Sequence, residues 1–183
     1  MRYFLIAVVL LAGCEKLDPE VLFASVEYQV RCLDCEPRSA DEKRRDLNLI
    51  DGDDGYEVDC NAAQAGGKDV ISFHVALDDQ DAPSKSHRFE VQKAEYGKGG
   101  PGSQCEVVIR EGANRYIGEC SSKAPTDDVP CQLDLEVDGT RVFGSLRCAH
   151  IQLEGAPTIT RYVVEPGTDD KPAQFEIHGC TGL

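Results

Sequence analysis

The chain has 183 residues, with 19 Lys and Arg against 33 Asp and Glu and a net charge of −14. That length suits one domain able to bury a real core. The acidity repels nucleic acid and anionic lipid headgroups, and because it is spread along the chain it reads as a solvated surface.

The chain opens with one positive charge at Arg2, an apolar run from Phe4 to Leu11, and then Ala12-Gly13-Cys14. A short charged segment, a short apolar segment and small residues before a cut form the pattern of a secretion signal. The run is far below the ~20 residues a membrane-spanning helix needs. Leu11-Ala12-Gly13-Cys14 resembles the lipobox of bacterial lipoproteins. The resemblance implies a diacylglycerol on the Cys14 thiol, cleavage before Cys14 and acylation of the new amine. The expected organisation is a signal peptide over 1–13, a lipidated cysteine with a short tether over 14–20, and a single disulfide-rich β-domain over 21–183. At ~3.5 Å per residue, the tether Glu15-Lys16-Leu17-Asp18-Pro19 spans less than about 20 Å, which keeps the domain close to its membrane.

Beyond the tether the sequence alternates. Val26, Tyr28, Val30 and Cys32 share one phase, as do Tyr56, Val58 and Cys60. So do Ile71, Phe73, Val75 and Leu77, then Phe89 and Val91, and finally Phe175 and Ile177. Period-two patterning bounded by Gly, Pro, Asp and Asn clusters predicts half-buried strands. The fold class is therefore all-β, expected as an antiparallel sandwich of roughly eight to ten strands stapled by up to four disulfides. One short helix is predicted over 40–45, with Ser39 and Glu42 as a capping box.

Nine cysteines are present. Lipidation of Cys14 leaves an even set: Cys32, Cys35, Cys60, Cys105, Cys120, Cys131, Cys148 and Cys180. In an oxidising compartment that set reads as disulfides. With Gly139-Thr140 as a type II′ hairpin loop, Val137 faces Val142, Leu135 faces Gly144, Leu133 faces Leu146 and Cys131 faces Cys148. A four-residue loop over 111–114 likewise sets Ile109 against Tyr116, Val107 against Gly118 and Cys105 against Cys120. That second register opposes Glu106 to Glu119 and Arg110 to Arg115, which is mildly unfavourable. Each hairpin has a glycine at the matching inward position, so the two form a weak internal repeat. For Cys32, Cys35, Cys60 and Cys180 three pairings are open; 32 with 35 and 60 with 180 is preferred.

Motifs that carry chemistry are weak. Cys32-Leu33-Asp34-Cys35 has redox-pair spacing, but a strand runs into it, and Asp34 and Glu36 raise rather than lower a thiol pKa, so a structural disulfide is expected. No second Cys-x-x-Cys accompanies it, so zinc is not expected. Asp51-Gly52-Asp53-Asp54-Gly55 fails the EF-hand pattern at Gly55 and Tyr56 and reads as a surface turn. The loop over 78–81 is likewise a charged loop. His74, His87, His150 and His178 are scattered singly, and no nucleophile elbow, P-loop or dinucleotide fingerprint appears. The expectation is no catalytic residue, no metal ligand and no cofactor beyond the covalent lipid of Cys14.

Several stretches resemble small cysteine-rich lipoproteins of myxobacteria and related soil bacteria. They are the lipobox, the run from Asn114 to Cys120, the run from Val142 to Cys148 and the ending from Phe175 to Leu183. Within that group the chain looks somewhat like lipoproteins needed for adventurous gliding motility. The resemblance implies outer-membrane anchoring, facing the periplasm or the cell surface, and a non-enzymatic role with envelope protein partners in a motility complex. Glu15 after the lipidated cysteine, in place of aspartate, favours the outer membrane. The competing expectations are a lipoprotein that captures a sugar or metal, and an envelope redox protein using Cys32 and Cys35.

Overall fold

Alternation of buried and exposed residues builds eleven strands in the computed structural model, which describes residues 21–32, 43–97, 105–164 and 171–183. They are β1 (Phe23–Cys32), β2 (Lys43–Ile50), β3 (Tyr56–Ala65), β4 (Lys68–Leu77), β5 (His87–Glu95) and β6 (Cys105–Glu111). β7 (Asn114–Ser121), β8 (Cys131–Asp138), β9 (Arg141–Leu153), β10 (Ala156–Val164) and β11 (Ala173–His178) follow. The fold is all-β, as the patterning predicts, with one strand more than the upper expectation. Hydrogen bonding is continuous through all eleven, so the two faces of the expected sandwich belong to one sheet that curls into a nearly closed barrel.

The predicted helix over 40–45 is not formed where it can be seen. Lys43 to Arg45 begin β2, paired antiparallel with Val30, Gln29 and Tyr28 of β1, while 40–42 lie outside the described residues. Tertiary pairing overrides the local capping signal. As a strand, β2 turns Arg45 and Leu47 inward, whereas a helix would break that face.

The sheet runs β3-β4-β5-β6-β7-β8-β9-β11-β1, with β2 on the far side of β1. β10 and β11 share one slot. β11 pairs with the first half of β9 and the first half of β1, while β10 pairs with the second half of each. The 13-residue β9 is long enough to serve both.

Both hairpins adopt the registers read from the sequence, down to Leu135 opposite Gly144 and Val107 opposite Gly118. φ is positive at Gly139 but not at Thr140, which is the type II′ pattern. The β6–β7 loop is shorter than expected, because Glu111 and Asn114 pair and leave a two-residue turn. A short parallel contact between β7 and β8 sets Cys120 beside Cys131. Cys105, Cys120, Cys131 and Cys148 therefore form one buried row across four strands, closed by two disulfides.

A third disulfide, Cys60–Cys180, fixes the carboxyl end to β3. The tail then shields the outer edge of that strand. Thr181 donates its amide to the Cys60 carbonyl and accepts from the Ala62 amide. Further along, Asp51 Oδ1 accepts from the Val58 amide, and the Gly52 amide donates to the Tyr56 carbonyl. An edge strand covered in this way no longer templates pairing with another chain.

The interior is filled. Tyr28, Phe73, Phe89 and Phe175 form one aromatic cluster, with Phe73 and Phe175 ring centroids 4.9 Å apart and Tyr28 and Phe89 5.3 Å apart. Ile71, Ile109, Leu133, Leu146, Ile151 and Ile177 pack around it, all fully buried. Each such side chain stabilises the fold by about 1.5–3 kcal/mol relative to exposure.

Candidate functional site

Cys14, the tether and Cys35 lie outside the described residues, and Cys32 is the last residue of β1. Asp51 and Asp53 of the segment 51–55 are occupied in holding their own turn. Asp53 Oδ2 accepts from the Ile50 amide, and Asp51 Oδ1 bonds Val58 as described above. Asp79 does the same for its loop, accepting from the amides of Asp81 and Ala82. Among the described residues no group of three or more His, Cys, Asp or Glu is arranged to hold a metal ion. No described helix is long and apolar enough to cross a membrane.

The structure assembles a polar cluster that local sequence reading missed. Glu111, at the end of β6, has only 4% of its side chain exposed. It accepts from the Tyr28 hydroxyl at 3.1 Å and from Arg45 twice, Nη2 at 2.5 Å and Nε at 3.2 Å. His87 stands directly opposite Glu111 across the β5–β6 pair and is 2% exposed. Its Nδ1 donates to the Lys85 carbonyl at 3.0 Å, while its Nε2 has no hydrogen-bond partner. The Tyr56 ring meets the imidazole edge-on at 5.1 Å.

Charge and burial set the protonation of this cluster. Burial, reinforced by the Glu111 carboxylate, pushes the Tyr28 phenol well above its ordinary value, so it stays a donor. Burial works against the Arg45 charge, but its hydrogen bonds and proximity to Glu111 outweigh that and raise it. Burial lowers the His87 imidazole, against the Lys85 carbonyl that favours its charged form. A carboxylate neutralised by a bidentate guanidinium is a poor base. The cluster ties β1, β2, β5 and β6 together. The one available signal was phase: His87 shares the inward phase of Phe89 and Val91, and Tyr28 that of Val26 and Val30.

Openings lie on the outer face. A groove of about 540 Å³ runs along β7, the end of β9 and the loop before β8, with Glu106, Glu119, Asp128 and Glu154 around Ile117. His150 on its wall places Nε2 3.3 Å from the Asp127 carbonyl. A smaller cleft of about 230 Å³ lies across β1, β11 and β9, lined by Glu27, Phe143, Gln174 and Glu176. The Arg141 guanidinium stacks 4.3 Å above the Phe143 ring beside it. No protein-family model, curated protein or solved structure matches the chain.

Proposed function

We propose that this protein is a non-enzymatic, lipid-anchored module of the bacterial envelope, held at the outer membrane by Cys14 and working through its outer surface as an assembly component of gliding motility. The observation that carries the reading is the division of labour among the cysteines. Cys14 stands in a lipobox, and Cys60, Cys105, Cys120, Cys131, Cys148 and Cys180 are closed in disulfides suited to an oxidising compartment. The packing points the same way. Aromatic side chains fill the barrel, and Tyr28, His87 and Glu111 of the polar cluster are buried, so contact with partners falls to the strand faces and their grooves. The motility assignment rests on resemblance to myxobacterial lipoproteins.

Deletion of the gene is expected to impair surface gliding, with recovery on re-expression of the native chain and none with Cys14→Ser. Cys14→Ser should also pass from the membrane to the soluble fraction. Normal gliding of the deletion strain would overturn the motility role, and membrane retention of Cys14→Ser would overturn the anchor.

A further inference from the structure

Three arginines stand side by side on the outer face of the sheet. Arg88 of β5 is directly opposite Arg110 of β6, and Arg110 is directly opposite Arg115 of β7. Directly opposed side chains have Cβ atoms about 4.5–5.5 Å apart, and like charges so placed are destabilising. Guanidinium groups do not deprotonate in proteins, so the row cannot relieve itself by losing a proton. In a chain with 19 basic and 33 acidic residues, such a run is not an average piece of surface. The three line a cleft of about 350 Å³ together with Asp78, Glu90 and Gln92.

Each arginine leans on a carboxylate through one Nη: Arg88 on Glu90 at 2.9 Å, Arg110 on Asp78 at 2.6 Å and Arg115 on Glu154 at 2.9 Å. Asp78 and Glu154 are 50% and 56% exposed, so water screens these two pairs and they hold weakly. A guanidinium has five N–H donors. Beyond the ion pairs, the one further hydrogen bond described for the row runs from Arg110 Nε to the Gly112 carbonyl at 3.1 Å. Donors therefore remain for an anion in the cleft.

We propose that the Arg88–Arg110–Arg115 row is a binding site for a phosphate group. A phosphate carries enough charge and enough oxygens to be shared among three forks, whereas one carboxylate has only two oxygens. The net charge of −14 opposes large polyanions. Screening over about 8 Å at physiological ionic strength still admits a small phosphate to a local cationic row. The phosphate belongs either to a soluble ester, such as a sugar phosphate, or to a lipid headgroup. The site stands on the sheet register alone and is independent of the lipid anchor.

The test is calorimetric titration of inorganic pyrophosphate into the full lipidated protein in non-ionic micelles at low salt. Saturable binding is expected. Arg110→Gln should weaken it roughly tenfold or more, as loss of one charge-assisted contact does. Arg147→Gln, a charge control on β9, should leave it unchanged. Asp78→Asn, which removes the competing carboxylate, should tighten it. All variants should keep the native circular dichroism, because these side chains are partly exposed. Absence of binding by the native protein, equal weakening in Arg147→Gln, or weaker binding in Asp78→Asn overturns the proposal. The source is read by repeating the titration in phosphatidylcholine vesicles with and without phosphatidic acid. Competition by phosphatidic acid assigns a lipid phosphate, and undiminished pyrophosphate binding assigns a soluble one.

Discussion

Glu111 has exchanged water for three hydrogen bonds, two from Arg45 and one from the Tyr28 hydroxyl. Removing one partner of such a buried pair costs far more than the pair contributes, because the survivor stays buried without compensation. Glu111→Ala is therefore expected to lower unfolding stability by about 3 kcal/mol in urea titrations. The partial exposure of Arg45 keeps the effect at the lower end of that class. His87 gives a pH signature. Its folded pKa lies below the ordinary 6.5, so the unfolded chain binds the extra proton first. Stability is complete above about pH 6.5 and declines as pH falls toward the folded value. Glu90 and Glu176 also have lowered pKa values. Burial works to raise both, and it is outweighed by Arg88 and Gln92 at Glu90 and by His178 and Arg141 at Glu176. Their contributions are lost only below about pH 4.5, so the two ranges separate. Urea midpoints between about pH 5 and 7 should fall with acidity in the native protein and stay nearly flat in His87→Phe.

Strand pairing explains what the sequence reveals at the level of elements. The two cysteine hairpins were legible because everything that fixes them is local: a glycine-led turn, alternation on both arms and cysteines at equal distances from the turn. The shared slot of β10 and β11 was not legible, since nothing near either strand says that β9 and β1 are long enough to take both. The Arg45–Glu111 pair was hidden for the same reason, its partners being 66 residues apart with no pattern linking them. The mistaken helix over 40–45 shows the converse, a local cap signal overruled by pairing with β1. The opposed charges read from the second hairpin are real, and the fold relieves Arg110 and Arg115 with acids from other elements. The cysteine row should carry much of the element-scale stability. Closing a loop of this length is worth about 3 kcal/mol in the chain-entropy model, so Cys131→Ala with Cys148→Ala should lower the unfolding free energy from urea titration by that order. Gly144 is a separate constraint. A Cβ there would lie 1.9 Å from the Asp134 carbonyl oxygen, so Gly144→Ala is expected to cost about 2–3 kcal/mol, measured in the same titration.

At the scale of the whole molecule, the lipid anchor proposed at Cys14 would join a filled, cross-linked barrel to a membrane through a few tether residues. Three acyl chains hold far more strongly than one, because each buried methylene adds about 0.8 kcal/mol. The tail clasped to β3 by Cys60–Cys180 keeps that sheet edge covered. Removing residues 179–183 is expected to expose it and to shift the protein toward aggregates, as size-exclusion chromatography would show. The central claim is the fate of nine sulfurs, and intact-mass analysis of protein isolated from native envelopes and alkylated without reductant reads all of them at once. The expected result is a chain beginning at Cys14, heavier by a diacylglycerol and a third acyl chain, with no sulfhydryl accessible to alkylation. A chain that retains Met1, carries no fatty acid and takes up alkyl groups on most of its cysteines would contradict it.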